Sequence, residues 1–200
     1  MLRYAIPGYA RLRMGRHKRL ISYLGEEGWE HTREFATLCE RQPGSEDELL
    51  VEILALDLNG TLTLEGVLVP GVAECLKRVQ EAGVKLLILT GDVRGTAESV
   101  KLELAASGVN VELVVCKDTR GTAFAKLARL IEFDLARVAF IGNGQGDSLA
   151  VRATDFSIAT TQSELSASAT VGGAVGHATS ITHALNGLLD EKLMRASFHQ

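Results

Sequence analysis

The chain is missing the hallmarks of several protein classes. Its three cysteines, Cys39, Cys75 and Cys116, are odd in number and far apart. They offer neither a disulfide framework nor a cysteine zinc site, and a reducing, cytoplasmic setting is expected. No apolar run approaches the ~20 residues that span a bilayer, so no membrane association is expected. Its histidines (His17, His31, His177, His183 and His199) are scattered without ligand spacing, and surface or capping roles are expected for them. No strong charge excess exists: the formal net charge is −4 over 200 residues. Such a chain has no general affinity for nucleic acid or anionic membranes. There is no internal repeat and no long low-complexity tract. Acidic residues are missing locally, since Arg3, Arg11, Arg13, Arg16, Lys18 and Arg19 all precede the first acid, Glu26. An Arg-rich, acid-free start can mark a transit peptide, but serine richness is lacking and Pro7-Gly8 breaks an early helix. A solvated basic face is the expectation.

What remains is an ordinary globular profile, 46% hydrophobic and 23% charged, long enough for one domain with a proper core. From Val51 onward strands and helices alternate. Strands are predicted at Val51–Asp57, Lys85–Thr90, Val111–Cys116, Arg137–Gly142 and Phe156–Thr160. Helices are predicted at Val72–Ala82, between Pro70 and Gly83, and at Ala97–Ser107, stopped by Gly108. Further helices are predicted at Thr122–Phe133, Asp147–Ala153 and Ile181–Arg195. The strands are continuous apolar runs, which means burial on both faces. The fold class is therefore α/β, a parallel five-stranded sheet flanked by helices. Residues 14–50 do not share this rhythm, so an extension over 1–50 precedes a core over 51–200. Two short helices around Gly25–Gly28 are expected there, with Leu20, Ile21, Tyr23, Leu24, Trp29, Phe35 and Leu38 packing on the core or on a partner. Pro43–Glu48 reads as an exposed linker.

Doubly wound folds bind ligands beyond the carboxyl ends of their strands. Three polar clusters lie at such ends: DLNGT from Asp57, TGD from Thr90 and GNGQGD from Gly142. A carboxylate at a strand tip can attack phosphorus and form an aspartyl-phosphate. The turn after Asp57 combines Gly60, which lets the backbone bend and expose N–H groups, with the Thr61 hydroxyl, and together they can cradle phosphoryl oxygens. Thr90 and the Gly91 N–H offer further phosphate donors, while Asp92 can hold a lysine. Thr96 and Glu98 read as the start of the following helix. Asn143 and Asp147 can face a hard cation, and Mg²⁺ needs only a few protein oxygens because it keeps several waters. Lys126 can reach the site from its helix to offset phosphate and carboxylate charge, with Arg94 and Lys117 competing for that role.

These clusters resemble a known family. DLNGTLT is similar to the first motif of the haloacid dehalogenase (HAD) superfamily, closest to the DKTGTLT of P-type ATPases. LTGDVRGTAE resembles the TGD segment of those pumps, and GNGQGD resembles their GDGxND hinge. Small soluble P-type-ATPase-like members share the DLNGT variant, an IPG start like Ile6-Pro7-Gly8 and a tail like THALNGLLDEKLMRAS. The resemblance implies a HAD-like Rossmannoid core and a Mg²⁺-dependent phosphatase. It makes Asp57 the nucleophile, the Asn59 carbonyl a metal ligand, Thr90 and Gly91 phosphate binders, and Lys126 the motif lysine. Asn143 and Asp147 complete the metal side.

The departures from the motif sharpen the expectation. Phosphatases of this superfamily usually carry a second Asp where Asn59 stands. Asn can neither protonate a leaving group nor activate water, and such help is typically worth ~10²–10⁴-fold. A slow enzyme favouring good leaving groups is expected, or a protein that only binds phosphate and Mg²⁺ in a regulatory role. Asn143 replaces an acidic metal ligand, and Gly146 replaces an Asn. The short span from Thr61 to Thr90 leaves no room for a nucleotide domain or a large cap, so an ion pump is excluded. An open, capless site suits large phosphorylated substrates or closure by a second subunit, with residues 14–50 as the candidate contact for a homo-oligomer or protein partner.

Overall fold

The computed structural model describes residues 1–6, 9–40, 48–162 and 165–198, without the side chains of residues 10–12. Most of the expected Pro43–Glu48 linker and the Pro7-Gly8 pair lie outside the described residues. In chain order the elements are β1 (Leu2–Ala5), α1 (Tyr9–Glu26), α2 (Thr32–Glu40), β2 (Glu48–Val51) and β3 (Ile53–Leu56). A short hairpin, β4 (Thr63–Leu64) and β5 (Val67–Leu68), precedes α3 (Val72–Glu81), β6 (Lys85–Thr90), α4 (Ala97–Ala106) and β7 (Val111–Val115). There follow α5 (Thr122–Leu130), β8 (Val138–Gly142), α6 (Ala150–Ala153), β9 (Phe156–Thr160), α7 (Ser168–Val171), β10 (Gly176–Ala178), α8 (Ile181–Leu189) and α9 (Glu191–Phe198).

The central sheet is parallel and has the order β10-β9-β8-β3-β6-β7. It has six strands rather than five. The extra one, β10, is a three-residue edge strand whose Gly-His-Ala sequence carries no apolar run. Strand alternation feeds two cores. Leu54, Leu56, Leu86, Ile88, Ala139 and Ile141 face one layer. Ala55, Leu87, Leu89, Val138 and Phe140 face the other. This is why the strands read as unbroken apolar runs. β3 lies centrally between β8 and β6, where the chain reverses its direction of travel across the sheet. That switch point opens a crevice at the strand ends, and Asp57 follows β3 directly into it.

Several predicted boundaries shift for local reasons. The run from Val51 to Asp57 breaks at Glu52, whose N–H donates to the Arg137 carbonyl while its own carbonyl accepts from Lys85 N. Upstream of the break, β2 leaves the sheet and pairs antiparallel with β1. The expected helix over Asp147–Ala153 is a one-turn 3-10 helix at Gln145–Asp147 followed by α6. The expected final helix splits into α8 and α9 at Asp190, whose carboxylate accepts the Lys192 and Leu193 N–H groups and so caps α9.

Residues 14–40 pack on the core. Leu20, Leu24, Trp29 and Phe35 are buried in the same apolar layer as α5, α6 and β8. Arg16 and His17, expected at the solvent face, are buried against the carbonyls of Asp155 and Ala153. Tyr9 Oη also donates to the Asp155 carbonyl, and Arg13 pairs with its carboxylate at 2.8 Å.

Candidate active site

The site is built where the loops after β3, β6 and β8 meet α5. Asp57 is 7% exposed and tied to β8 through its N–H, which donates to the Ile141 carbonyl at 2.9 Å. Past it the chain turns sharply. Gly60 takes φ +79°, a left-handed geometry that costs a glycine nothing, and its N–H donates to the Thr63 carbonyl at 2.7 Å. The turn swings the buried Thr61 hydroxyl back toward the strand tip, 3.4 Å from Asp57 Oδ2 and 3.2 Å from Asn143 Oδ1.

Lys126 settles the competition among the basic residues. Its ammonium lies 2.5 Å from Asp57 Oδ1 and 2.6 Å from Asp147 Oδ1, fully enclosed, while Arg94 and Lys117 are exposed. Burial works against its charge, but Asp147 and Asp57 outweigh that and hold the ammonium above the usual lysine range. For Asp57, burial first and then the Asp147 carboxylate push the carboxyl up to about 6 despite Lys126, leaving it largely ionised at neutral pH. The buried cluster therefore holds two carboxylates against one ammonium.

The GNGQGD loop has an internal skeleton. Asp147 Oδ2 accepts the N–H groups of Asn143 at 3.0 Å and Gly144 at 2.9 Å. With Oδ1 on Lys126, both its oxygens have protein partners, so Asp147 shapes the loop and orients the lysine. The glycines are steric requirements: a Cβ on Gly142 would lie 2.6 Å from the Asp147 carboxylate, and one on Gly146 would press Thr122 at 3.2 Å. A Cβ on Gly91 would lie 3.2 Å from the hydroxyl of the same Thr122. Thr122 thus fills the space between the TGD and GNGQGD loops, and Gly146, having no side chain, makes room for it.

Thr90 is fully buried at the end of β6, its hydroxyl accepting the Asp92 N–H at 2.9 Å. Asp92 does not hold a lysine. Its carboxylate accepts the Ala97 N–H at 3.0 Å and caps α4, while Thr96, the expected cap, makes no side-chain cap bond. Asn59 bridges to Thr63 through its backbone, and its Oδ1 is buried with no hydrogen-bond partner among the described residues.

A divalent cation can be tested against these donors. Asp57 Oδ2, Thr61 Oγ1 and Asn143 Oδ1 converge, with the hydroxyl between the other two. A Thr hydroxyl carries one proton, so it cannot satisfy both acceptors at once. An all-oxygen set of low charge suits a hard ion that keeps its waters, which is Mg²⁺. It does not suit zinc, and no cluster of three His, Cys, Asp or Glu able to hold a metal occurs among the described residues.

One contributor is not marked by the three motifs. Gln162, just past β9, donates from Nε2 to the carbonyls of Gly60 at 2.8 Å and Thr61 at 2.7 Å, and its Oε1 accepts the Ile181 N–H at 3.0 Å. It ties the turn after Asp57 to the start of α8. Its signal is positional only, a polar residue at the end of a fifth buried strand.

A family model described as haloacid dehalogenase-like hydrolase matches residues 8–155. No match is found among curated proteins. Among solved structures, the 3-deoxy-D-manno-octulosonate 8-phosphate phosphatase of Moraxella catarrhalis, in complex with magnesium, phosphate and KDO, matches with TM-score 0.53 at 20% identity, over 74% of this chain and 94% of that one. The cobalt-bound deoxy-D-mannose-octulosonate 8-phosphate phosphatase of Haemophilus influenzae gives TM-score 0.52 at 13% identity, over 74% and 89%. The D,D-heptose 1,7-bisphosphate phosphatase of B. bronchiseptica, complexed with magnesium and phosphate, gives 0.50 at 16%, over 70% and 98%. At these identities the likeness is one of fold.

Proposed function

Because the chain belongs to the haloacid dehalogenase-like hydrolase family, we propose that it is a Mg²⁺-dependent phosphatase acting through an aspartyl-phosphate on Asp57. The observation that carries this reading is the placement of Lys126 between Asp57 and Asp147, at 2.5 and 2.6 Å, in a fully buried position. A lysine enclosed between two carboxylates is a costly arrangement for stability alone. It makes sense where one carboxylate must stay ionised and fixed in direction while a dianionic phosphoryl group approaches.

One carboxylate oxygen of Asp57 attacks phosphorus, and the other is left to face the cation. The new oxygen–phosphorus bond forms as the bond from phosphorus to the leaving oxygen breaks. The Thr61 and Thr90 hydroxyls and the Gly91 N–H are the donors for the phosphoryl oxygens. Asp57, the Asn59 carbonyl and Asn143 would hold Mg²⁺, which when bound neutralises charge building on those oxygens. Water then attacks phosphorus, the Asp57 carboxylate is released, and phosphate departs with the proton balance taken up by solvent. Asn59 can supply no proton in the first step and accept none in the second. The enzyme is therefore slow, and it favours acyl, aryl or anhydride phosphates over alkyl ones.

The test is Mg²⁺-dependent phosphate release from an aryl phosphate. The wild type should turn over and Asp57→Asn should be inactive, whereas equal turnover in that variant would remove Asp57 from the chemistry. Asn59, which cannot act as acid or base and whose Oδ1 has no hydrogen-bond partner among the described residues, favours a second reading, a scaffold that binds phosphate and Mg²⁺ without turnover. Beryllium fluoride with Mg²⁺ separates the two. A stability shift needing both ions, with no hydrolysis across aryl and acyl phosphates, would support the second.

A further inference from the structure

The basic N-terminal stretch takes no part in the proposed chemistry, and two of its arginines, Arg16 and Arg19, line a cavity. A cleft of about 810 Å³ opens between α1, the segment from Gln145 to Arg152, and α7 with the glycines after it. Asp57, Thr61, Thr90 and Lys126 are absent from its wall. Its charge is lopsided: Arg16, Arg19 and Arg152 line it, and no acidic side chain does among the described residues. In a chain of net charge −4, three guanidiniums on one concave wall are not the average surface.

Arg16 is 8% exposed and held from several sides. Its guanidinium donates to the carbonyls of Val151 and Asp155 and, at 3.1 Å, to the Ser157 hydroxyl. Its Nε is buried with no acceptor among the described residues. Arg152 donates to the Ser148 carbonyl at 2.5 Å, which fixes it on the opposite wall. Arg19 is exposed and has no acidic partner among the described residues. Burial disfavours the Arg16 charge, Tyr9 and Asp155 offset part of that, and the neighbouring Arg152 and Arg19 charges add to it, a repulsion that a bound anion would relieve. Tyr23 and Leu20 add an amphipathic and an apolar wall. The volume is that of a pocket for a small molecule.

We propose that this cleft binds a small organic polyanion carrying at least two phosphate or carboxylate groups, at a site separate from the phosphoryl centre. Guanidiniums set in a concave wall match such groups through paired, charge-assisted hydrogen bonds. Enclosure favours a metabolite-sized ligand over an extended acidic polymer.

The test is calorimetric titration of the full-length protein with methylenediphosphonate, an unhydrolysable diphosphate mimic, in Mg²⁺-free buffer. One saturable site is expected. Arg19→Gln should weaken it by about tenfold or more, and Arg19→Lys should retain most of the affinity. Arg19 is exposed, so an unchanged melting curve serves as the folding control for both variants. Absence of saturable binding at millimolar concentration overturns the proposal. So does binding that Arg19→Gln leaves at wild-type strength, since the anion would then sit elsewhere, the phosphoryl centre included.

Discussion

At the scale of single residues, the buried triad of Asp57, Lys126 and Asp147 dominates. Two carboxylates share one ammonium at 2.5 and 2.6 Å, so removing the ammonium leaves two like charges enclosed together. Lys126→Met should destabilise the Mg²⁺-free protein by about 3–5 kcal/mol, measured by urea denaturation in a chelator. Adding Asp147→Asn to that variant should recover part of the loss, because one of the two facing charges is gone. An additive double variant would mean that the carboxylates do not oppose each other. Asn59 makes the complementary case. Asn59→Asp restores a group able to move a proton, so turnover of an alkyl phosphate should rise on the order of 10²-fold, and that of an aryl phosphate much less. The ratio of the two rates is the readout, and a parallel rise in both would show that Asn59 does not limit leaving-group departure. Asp57 and its Gly-Thr turn were readable as a polar cluster at a strand end, whereas Lys126 competed with Arg94 and Lys117 until the family resemblance singled it out, and Asp147 was read as facing a cation. The internal skeleton was not readable. That Asp147 spends both oxygens on Lys126 and on the N–H groups of Asn143 and Gly144 depends on how a five-residue loop closes.

Among the elements, strands were the most legible and their neighbours the least. β3, β6 and β8 are apolar on both faces, β9 is buried with Phe156 and Ile158 on one face and Ser157 on the other, and burial leaves such runs little choice. β10 and the break at Glu52 were hidden, since each follows from a partner chosen elsewhere: β9 for the one, Arg137 and Lys85 for the other. Side chains also took over helix ends. The α4 start at Ala97 is as expected, but Asp92 caps it in place of Thr96, and Asp190 divides the expected last helix into α8 and α9. Gln162 is the same kind of device across elements. By holding the Gly60 and Thr61 carbonyls from the end of β9, it fixes a turn that would otherwise leave those acceptors to water. Gln162→Ala should lower kcat about tenfold or more with little change in KM for an aryl phosphate, since misplacing a reacting group by an ångström costs up to ~10²-fold. Gln162→Glu should not rescue it, because a carboxylate cannot donate to carbonyls. An unchanged kcat in Gln162→Ala would show that the turn holds its shape unaided.

The whole molecule is a sheet with two covered faces, and the N-terminal segment helps cover one of them. Sequence periodicity from Val51 onward describes a core that needs helices on both sides. It does not say that α1 and α2 complete the layer containing α5 and α6: packing on the core is the favoured reading of Leu20, Leu24, Trp29 and Phe35, but which layer they join is not in the pattern. In the structure these four side chains pack in that layer, and the same packing takes His17 off the surface. Its ring is 4% exposed, its Nε2 sits 2.9 Å from the Ala153 carbonyl, and its ring meets Phe35 edge-on at 5.9 Å. Burial first, then the Arg16 charge, pushes its pKa down to about 4 from 6.5. The folded state therefore binds the proton less readily than the unfolded chain. The stability linked to this group is complete above about pH 6.5 and falls as pH drops toward 4, by about 3 kcal/mol in all. Asp155 Oδ1, 3.8 Å from Nε2, offers limited relief because Arg13 already holds that carboxylate. Denaturation midpoints between pH 7 and 4 should fall more steeply for the wild type than for His17→Gln, which has nothing to titrate there. Parallel curves would mean that α1 leaves the core before His17 is protonated.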